Sequence, residues 1–325
     1  MPHWAPRPAA EVDLHMFHLG VWGTGSGCRE NGAVIRTTKT SPVDVAREVP
    51  GMGAYARTVV RLHPRPGSPG VRDSHIGGPF LWPAGEEWPH CAEPKYAVGS
   101  GRNVAPERPV AMTAVAQLYA ADLPELAFPP GKDLFQLLWC PGHHPATSYN
   151  PAFRLIWRRA DEVTEVLAEP PVPHLVADTS YVPRPCALHP ERVTEYPWHE
   201  ELPPELQVRL KGWDAGEPLY QDWLSVVPGC KVGGGMSWEV TDMPPTECGT
   251  CGAPAGLLLQ LDSTEWYGRP GETRWQPLEE EHLAPGTAEY RDAHEPTGLK
   301  ISQFSHGGFF QCTASFDHPP FYLAQ

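Results

Sequence analysis

The stretch IGGPFLWPAGEEWPHC, residues 76–91, has a partial copy far downstream in VGGGMSWEVTDMPPTECGTCG, residues 232–252. Four residues recur at one constant offset: Ile76, Gly77, Gly78 and Trp82 match Val232, Gly233, Gly234 and Trp238. A glycine pair in a strand permits a bulge or a close backbone approach, and a nearby Trp brings a large apolar surface. The two stretches therefore predict equivalent packing positions in two parts of one fold.

Two further landmarks follow each stretch in the same order. Gln117 matches Gln260, and the later segments match through Phe135-Gln136 with Phe310-Gln311, Cys140 with Cys312, and His144-Pro145 with His318-Pro319. Three landmarks in one order indicate an internal duplication. The sequence predicts an α+β fold that is predominantly β, a single compact domain built from two duplicated β-rich half-units around a pseudo-twofold.

The composition fits a globular protein with short strands and few helices. The chain has 325 residues, 41% of them hydrophobic, which is enough for a sizeable core. Its 40 prolines disfavour long helices and central strands. The predicted boundaries are an irregular arm over residues 1–40 and a domain over 41–325, with half-unit 1 at about 55–165, a Pro-rich bridge at 168–200 and half-unit 2 at about 219–325.

Apolar runs of strand length mark the central strands. They are AMTAVAQLY (111–119), LFQLLW (134–139), GLLLQLD (256–262) and GGFFQC (307–312). Two segments predict helices: SPVDVAREV (41–49), with Ser41 as its cap, and PPELQVRLKGW (203–213). Residues 269–298 predict a long acidic loop with a solvated Glu279–Glu281 run.

Charge and cysteine content exclude several functional classes. A net charge of −14 argues against a nucleic-acid partner and against an anionic membrane surface. The chain has no run of 18 apolar residues and no signal-peptide pattern at its start, so we expect a cytoplasmic protein without a membrane partner. Eight cysteines are too few for a disulfide scaffold in a chain of this length, and we expect buried thiols or metal ligands.

The segment Cys248-Gly-Thr-Cys251-Gly is the strongest local signal for chemistry. Two thiolates at this spacing on a tight turn form half of a zinc knuckle. Structural thiols, a disulfide and a redox pair are the alternatives, although a redox pair should precede a helix and an apolar strand follows here. The sequence therefore predicts a structural zinc ion at Cys248 and Cys251.

The predicted zinc site needs two more ligands. Cys140 and His144 are the expected pair, and His143 or Cys91 could substitute. Cys312 and His318 are the repeat counterparts of Cys140 and His144, and Cys91 is the counterpart of Cys248. Each of these residues taken alone also fits a buried thiol or a surface histidine. No pattern involves the three remaining cysteines: Cys28, Cys186 and Cys230.

Motifs of known enzyme classes are absent from the sequence. It contains no Gly-x-Ser-x-Gly, no P-loop and no His-Glu-x-x-His, and we predict no catalytic residue. The alternative is a metal-assisted hydrolase with its site in the groove between the two halves, using Asp or Glu near Gln117, Gln260 or Asp262.

Several segments together resemble the YwqG-like family, a bacterial family of unknown function. They are RLHPRPG (61–67), SHIGGPFLWPAGEEWPHC (74–91), VAQLYAADLP (115–124), LLWCPGHH (137–144), KVGGGMSW (231–238), the Cys-x-x-Cys before a Leu-rich strand, and FFQCTASFDHPPFYLAQ (309–325). The chain departs from the family pattern in Gly233–Met236 and in carrying both His143 and His144, where one histidine is usual.

The resemblance covers roughly residues 55–325 and implies a compact β-rich domain with no established activity. Some relatives are encoded near secreted-toxin genes, which implies a binding or immunity-type role. Together with the absent enzyme motifs, this favours a non-enzymatic module that binds a protein partner. A structural zinc ion would stabilise that module.

Overall fold

The strands of this protein are mostly short because prolines and glycines interrupt the apolar runs. The computed structural model describes residues 35–92, 95–98, 102–214, 219–268, 273–301 and 305–325. Its helices are α1 (Val45–Glu48), α2 (Pro204–Asp214) and α3 (Ala288–His294). Its strands are β1 (Arg57–Arg61), β2 (Arg65–Pro66), β3 (His75–Ile76), β4 (His90–Cys91), β5 (Tyr96–Val98), β6 (Arg102–Val104), β7 (Val110–Ala111), β8 (Thr113–Tyr119), β9 (Leu134–Trp139), β10 (Phe153–Arg158), β11 (Cys186–Ala187), β12 (Glu191–Glu195), β13 (Lys231–Val232), β14 (Ala255–Asp262), β15 (His306–Cys312) and β16 (Phe321–Ala324).

Most of these strands form two antiparallel six-stranded sheets. The first sheet has the order β12-β1-β13-β14-β15-β16, and the second has the order β2-β11-β3-β8-β9-β10. Two small hairpins, β4-β7 and β5-β6, accompany them. The prediction of a predominantly β fold is confirmed.

One apolar core contains side chains from both sheets. Val60, Leu259 and Phe309 of the first sheet belong to the same buried cluster as Val115 and Leu137 of the second. Trp82 and Trp238 lie elsewhere, in two separate smaller clusters. The two tryptophans therefore do not fill the space between the sheets.

The chain crosses between the two sheets twice, each time at a Leu-His-Pro segment. The first crossing, Leu62–Pro64, leaves β1 in the first sheet and places β2 in the second. The second crossing, Leu188–Pro190, leaves β11 in the second sheet and places β12 in the first. As a result β1 pairs with β13, and β11 pairs with β3.

The long apolar runs form strands as predicted, but other local predictions need correction. The bridge over residues 168–200 is not wholly irregular, because it contains β11 and β12. Asp44 caps α1 in place of Ser41, since its side chain accepts from the N–H of Arg47. The acidic segment 269–298 contains α3, and Glu280 is buried between arginines instead of solvated.

Residues 35–40, which end the predicted arm, contact the domain. The Thr38 hydroxyl and N–H donate to the Glu191 carboxylate at 2.5 and 2.8 Å. The Arg36 Nε donates to Glu280 at 2.9 Å. Residues 1–34 of the predicted arm, with Cys28, lie outside the described residues. Within the described part of the chain, no helix is long and apolar enough to cross a membrane.

Candidate metal centres

Four side chains converge where β14 begins and β15 ends, at one end of these two neighbouring strands of the first sheet. Their ligand atoms all lie within 4.8 Å of one another, and we call them the four-ligand group: Cys248, Cys251, Cys312 and His318. Cys312 ends β15, and His318 lies in the turn between β15 and β16. The cysteine pair lies in the turn that precedes β14, the neighbour of β15 in the sheet. Strand pairing therefore brings the two parts of the group together.

The turn that carries Cys248 and Cys251 has the backbone of a tight knuckle. The Cys248 N–H donates to the Ala253 oxygen at 2.7 Å, and the Gly252 N–H donates back to the Cys248 oxygen at 2.8 Å. Gly252 has φ +72°, in the left-handed region that glycine adopts without steric cost. The glycine directly after the second cysteine therefore allows the chain to turn tightly at this point.

The spacing of the ligand atoms matches a tetrahedral zinc site. With Zn–S of about 2.3 Å and Zn–N of about 2.0 Å, a tetrahedron has S···S edges of about 3.8 Å and S···N edges of about 3.5 Å. The Cys251 and Cys312 sulfurs are 3.6 Å apart. The His318 Nδ1 lies 3.5 Å from the Cys248 sulfur and 3.3 Å from that of Cys312. Three of the six ligand–ligand distances therefore lie within a few tenths of an ångström of the tetrahedral values, and all six are at most 4.8 Å.

Hydrogen bonds favour the thiolate form in part of the four-ligand group. The Thr250 N–H, 3.4 Å from the Cys248 sulfur, is the main reason that the pKa of Cys248 falls to about 6. Burial raises the pKa of Cys312, but hydrogen bonds from His318 and the backbone outweigh it and lower that pKa. The hydrogen bond with Cys312 raises the pKa of His318. Thiolates are the form that binds metal ions.

A second set of three side chains converges at the second sheet. Cys91, Cys140 and His144 have ligand atoms within 4.8 Å of one another, and we call them the three-ligand group. Cys91 ends β4, Cys140 follows β9, and His144 follows four residues later. All three are buried, and the His144 Nε2 is buried without a hydrogen-bond partner.

The three-ligand group differs from the four-ligand group in the protonation of its thiols and in the number of its ligands. The hydrogen bond that the Cys140 thiol donates to Cys91 raises the pKa of Cys140, and burial raises it further, so its protonated thiol is favoured without a metal. Three residues after Cys91 the chain has Pro94, where the knuckle has Cys251. Within the described residues no fourth Cys, His, Asp or Glu joins this group.

The predicted ligand set was therefore wrong in its pairing. Cys140 and His144 do not join Cys248 and Cys251; they lie with Cys91 in the other group, because each Cys-His pair follows a central strand of its own sheet. His143 belongs to neither group. Its Nδ1 lies 3.4 Å from the Tyr181 hydroxyl, and its backbone pairs with Lys95.

The remaining described cysteines are buried thiols. Cys186 donates to the Pro296 oxygen at 3.3 Å, and Cys230 faces the Asp262 oxygen at 3.9 Å. Burial raises the pKa of both thiols. Among the described residues, neither Cys186 nor Cys230 belongs to a candidate metal-binding group.

A cleft of about 740 Å³ is lined by residues of both sheets and of the segments that connect their strands. They include Trp139 of β9, Tyr322 of β16, and Cys140, Tyr181 and Lys300 from connecting segments. Gln117, Gln260 and Asp262, the predicted neighbourhood of an enzyme site, do not line this cleft. All three are almost completely buried.

Comparison with known proteins adds no relative: no family model matches this chain, and no curated protein matches it.

Proposed function

We propose that this protein is a non-enzymatic binding module in which the four-ligand group holds one structural zinc ion. The observation that carries the zinc site is the fit of three interatomic distances, 3.3, 3.5 and 3.6 Å, to the edges of a tetrahedral site. Four protein ligands leave no coordination position for water or substrate, so the ion stabilises the fold. It would tie the Pro-rich turn before β14 to the end of β15.

Elemental analysis of the purified protein tests the zinc site. We expect Cys248→Ser to lose one equivalent of zinc relative to the wild type. Cys186→Ser is the matched control, because Cys186 is also buried but belongs to neither group. Equal zinc in the wild type and Cys248→Ser, or no zinc in the wild type after incubation with excess Zn²⁺, would contradict the proposal.

The module would act by binding a protein in the cytoplasm. This part rests on the missing enzyme motifs, the net charge of −14 and the resemblance to the YwqG-like family, which stays a prediction. Affinity capture from native lysate with and without zinc tests it. We expect a specific partner whose recovery falls with Cys248→Ser, whereas turnover of a small substrate and no partner would exclude a binding module.

The proposal includes an internal duplication of the β-rich half-unit around a pseudo-twofold. Two observations support it. The antiparallel order β3-β8-β9-β10 matches β13-β14-β15-β16, and both central pairs have a register shift, at Ala114/Ala116 and at Leu257/Leu259. When the β8-β9 pair is aligned with the β14-β15 pair at these shifts, Gln117 falls at the position of Gln260 and Cys140 at that of Cys312, as the sequence predicts. Phe135-Gln136 falls at the position of Gly307-Gly308, whereas the sequence match predicts Phe310-Gln311.

A second candidate function rests on the three-ligand group. Three protein ligands are the number found in catalytic zinc sites, where water takes the fourth position. Cys140 belongs to this group and lines the cleft of about 740 Å³. The group therefore favours the alternative of a metal-assisted hydrolase in the groove.

Zinc content also tests this second candidate. It requires a second zinc equivalent that Cys140→Ser removes and Cys248→Ser leaves in place. If Cys140→Ser has the zinc content of the wild type, the three-ligand group is a set of core thiols and the enzyme alternative loses its support.

A further inference from the structure

A separate cavity of about 330 Å³ lies against the first sheet, away from both metal groups. This volume is at the lower end of small-molecule pockets, which span about 300–1,000 Å³. Gln260 of β14 and His306 of β15 line it together with Tyr267. Trp223 and Trp275 add aromatic surface, and two carboxylates, Asp222 and Glu239, complete the polar lining.

One buried acceptor of this cavity has no donor. Gln260 is 1% exposed, and its Nε2 donates to the Gly229 oxygen at 3.0 Å, but its Oε1 has no hydrogen-bond partner. A buried polar atom without a hydrogen-bond partner is unfavourable, because it has lost its bonds to water and gained none in the protein. The cavity therefore presents an acceptor that a donor-bearing ligand would satisfy.

The equivalent glutamine of the other half has no free acceptor. The Gln117 Oε1 accepts from the Leu81 N–H at 2.7 Å and from the Gln136 Nε2 at 2.8 Å. Gln136 is the strand partner of Gln117, whereas the strand partner of Gln260 is Gly308, which has no side chain to donate. The free acceptor is thus a feature of the second half, created by a glycine where the first half has a glutamine.

The charge around the cavity is negative. None of the described residues that line it is Lys or Arg, while Asp222 and Glu239 contribute carboxylates. Desolvation raises the pKa of Glu239, and the negative charge of Asp222 raises it further. Burial lowers the pKa of His306 to about 4, so this histidine adds no positive charge at neutral pH. A cation in the cavity would relieve the repulsion between the two carboxylates.

We propose that this cavity binds a small organic ammonium ion. One N–H of the ammonium group donates to Gln260 Oε1, and the carboxylates of Asp222 and Glu239 balance its charge. The apolar part of the ligand lies against Trp223 and Tyr267, because aromatic faces attract cations and the carbon atoms next to them. No bond forms or breaks, and the site is independent of zinc.

Benzylamine is the test probe, with benzyl alcohol as its neutral counterpart of the same shape. Tryptophan fluorescence and isothermal titration calorimetry follow binding to the full chain, since two tryptophans line the cavity. We expect saturable benzylamine binding with a Kd of about 1 mM or below, and binding of benzyl alcohol at least about tenfold weaker.

Glu239→Gln keeps the shape of the cavity and removes one charge, and Glu87→Gln is an exposed control outside it. We expect Glu239→Gln to weaken benzylamine binding about tenfold, with Glu87→Gln at the wild-type value. Equal affinity for amine and alcohol, an unchanged Kd in Glu239→Gln, or no saturable amine binding up to about 10 mM would each overturn the proposal.

Discussion

The backbone N–H of His189 donates a hydrogen bond of 2.8 Å to the carbonyl oxygen of Leu62. This bond joins the two Leu-His-Pro segments at which the chain passes from one sheet to the other. Each segment follows a strand that pairs across the predicted boundaries: β1 of half-unit 1 pairs with β13 of half-unit 2, and β11 of the Pro-rich bridge pairs with β3 of half-unit 1. Neither sheet is therefore built from one predicted half-unit alone, because the first sheet contains β1 and β12 and the second contains β11.

The first prediction identifies the histidine ligand. Co²⁺ can replace Zn²⁺ in tetrahedral thiolate sites, where it absorbs visible light. Titration of the protein with Co²⁺, followed by visible absorption, therefore reports the loss of a ligand. We expect His318→Ala to weaken cobalt binding at least about tenfold and to change the visible bands, because it removes one of four ligands. His143→Ala should have the same cobalt spectrum as the wild type, since His143 belongs to neither group. Identical spectra for both variants would remove His318 from the site.

The second prediction concerns a buried ion cluster beside the first crossing. The Glu265 carboxylate lies 2.6 Å from His63 Nδ1 and 3.4 Å from Arg61 Nη2, and all three residues are buried. Burial raises the pKa of Glu265, but the charges of His63, Arg65 and Arg61 outweigh it and lower the value to about 2. Glu265→Gln leaves buried positive charge without a counterion, so we expect a loss of about 3–5 kcal/mol in the free energy of unfolding.

Glu281→Gln is the control for this cluster. Glu281 forms an ion pair with Lys39 and its side chain is 45% exposed. We expect this variant to lose less than about 1 kcal/mol in urea denaturation, as is usual for a surface ion pair. Similar losses in both variants would mean that the buried cluster contributes no more than a surface pair.

The third prediction is a pH dependence set by Asp262. Burial raises the pKa of this carboxyl to about 7, from an ordinary value of 3.8. Between these values the folded state binds a proton that the unfolded state lacks, so stability falls as the pH rises from about 4 to about 7. Hydrogen bonds donated by the Tyr267 hydroxyl, the Thr264 N–H and the Gly229 N–H lower this pKa, but burial outweighs them.

Asp262→Asn cannot ionise and removes this dependence. We expect the stability difference between wild type and Asp262→Asn to shift by about 3 kcal/mol in favour of the variant between about pH 5 and about pH 8. Asp122→Asn, an exposed control, should run parallel to the wild type in the same urea denaturation series. A difference between wild type and Asp262→Asn that stays constant with pH would show that Asp262 is ionised throughout.

Apolar periodicity predicted the central strands of the two sheets but did not predict β11 and β12. LFQLLW and GLLLQLD are mostly apolar runs of strand length, and such runs are typical of strands that are buried on both faces. β11 has two residues in a Pro-rich segment, and β12 reads Glu-Arg-Val-Thr-Glu with one apolar side chain. These strands form because they pair with β3 and β1, and such tertiary pairing leaves no local pattern. The repeated Leu-His-Pro was the available signal.

The candidate metal site shows the same limit. Spacing alone identified Cys248 and Cys251, because both lie on one turn. The other ligands depend on which strands are neighbours, and the predicted choice of Cys140 and His144 took them from the wrong sheet. The sequence match of Cys140 with Cys312 and of His144 with His318 was the available signal, since Cys312 and His318 are the residues that lie with Cys248 and Cys251.

The last prediction compares Gln117 with Gln260. Gln117→Leu leaves the buried Leu81 N–H without its acceptor and leaves Gln136 Nε2 with the Leu81 oxygen alone, and it also removes the donor of the Val71 and Asp73 oxygens. Gln260→Leu removes an oxygen that has no partner and frees only the Gly229 carbonyl. An unsatisfied buried group costs about 1–3 kcal/mol, so we expect Gln117→Leu to destabilise the protein by at least about 2 kcal/mol more than Gln260→Leu. Urea denaturation of the two variants measures this difference. Equal losses would mean that Gln260 Oε1 has a partner in solution and that the cavity beside it offers no free acceptor.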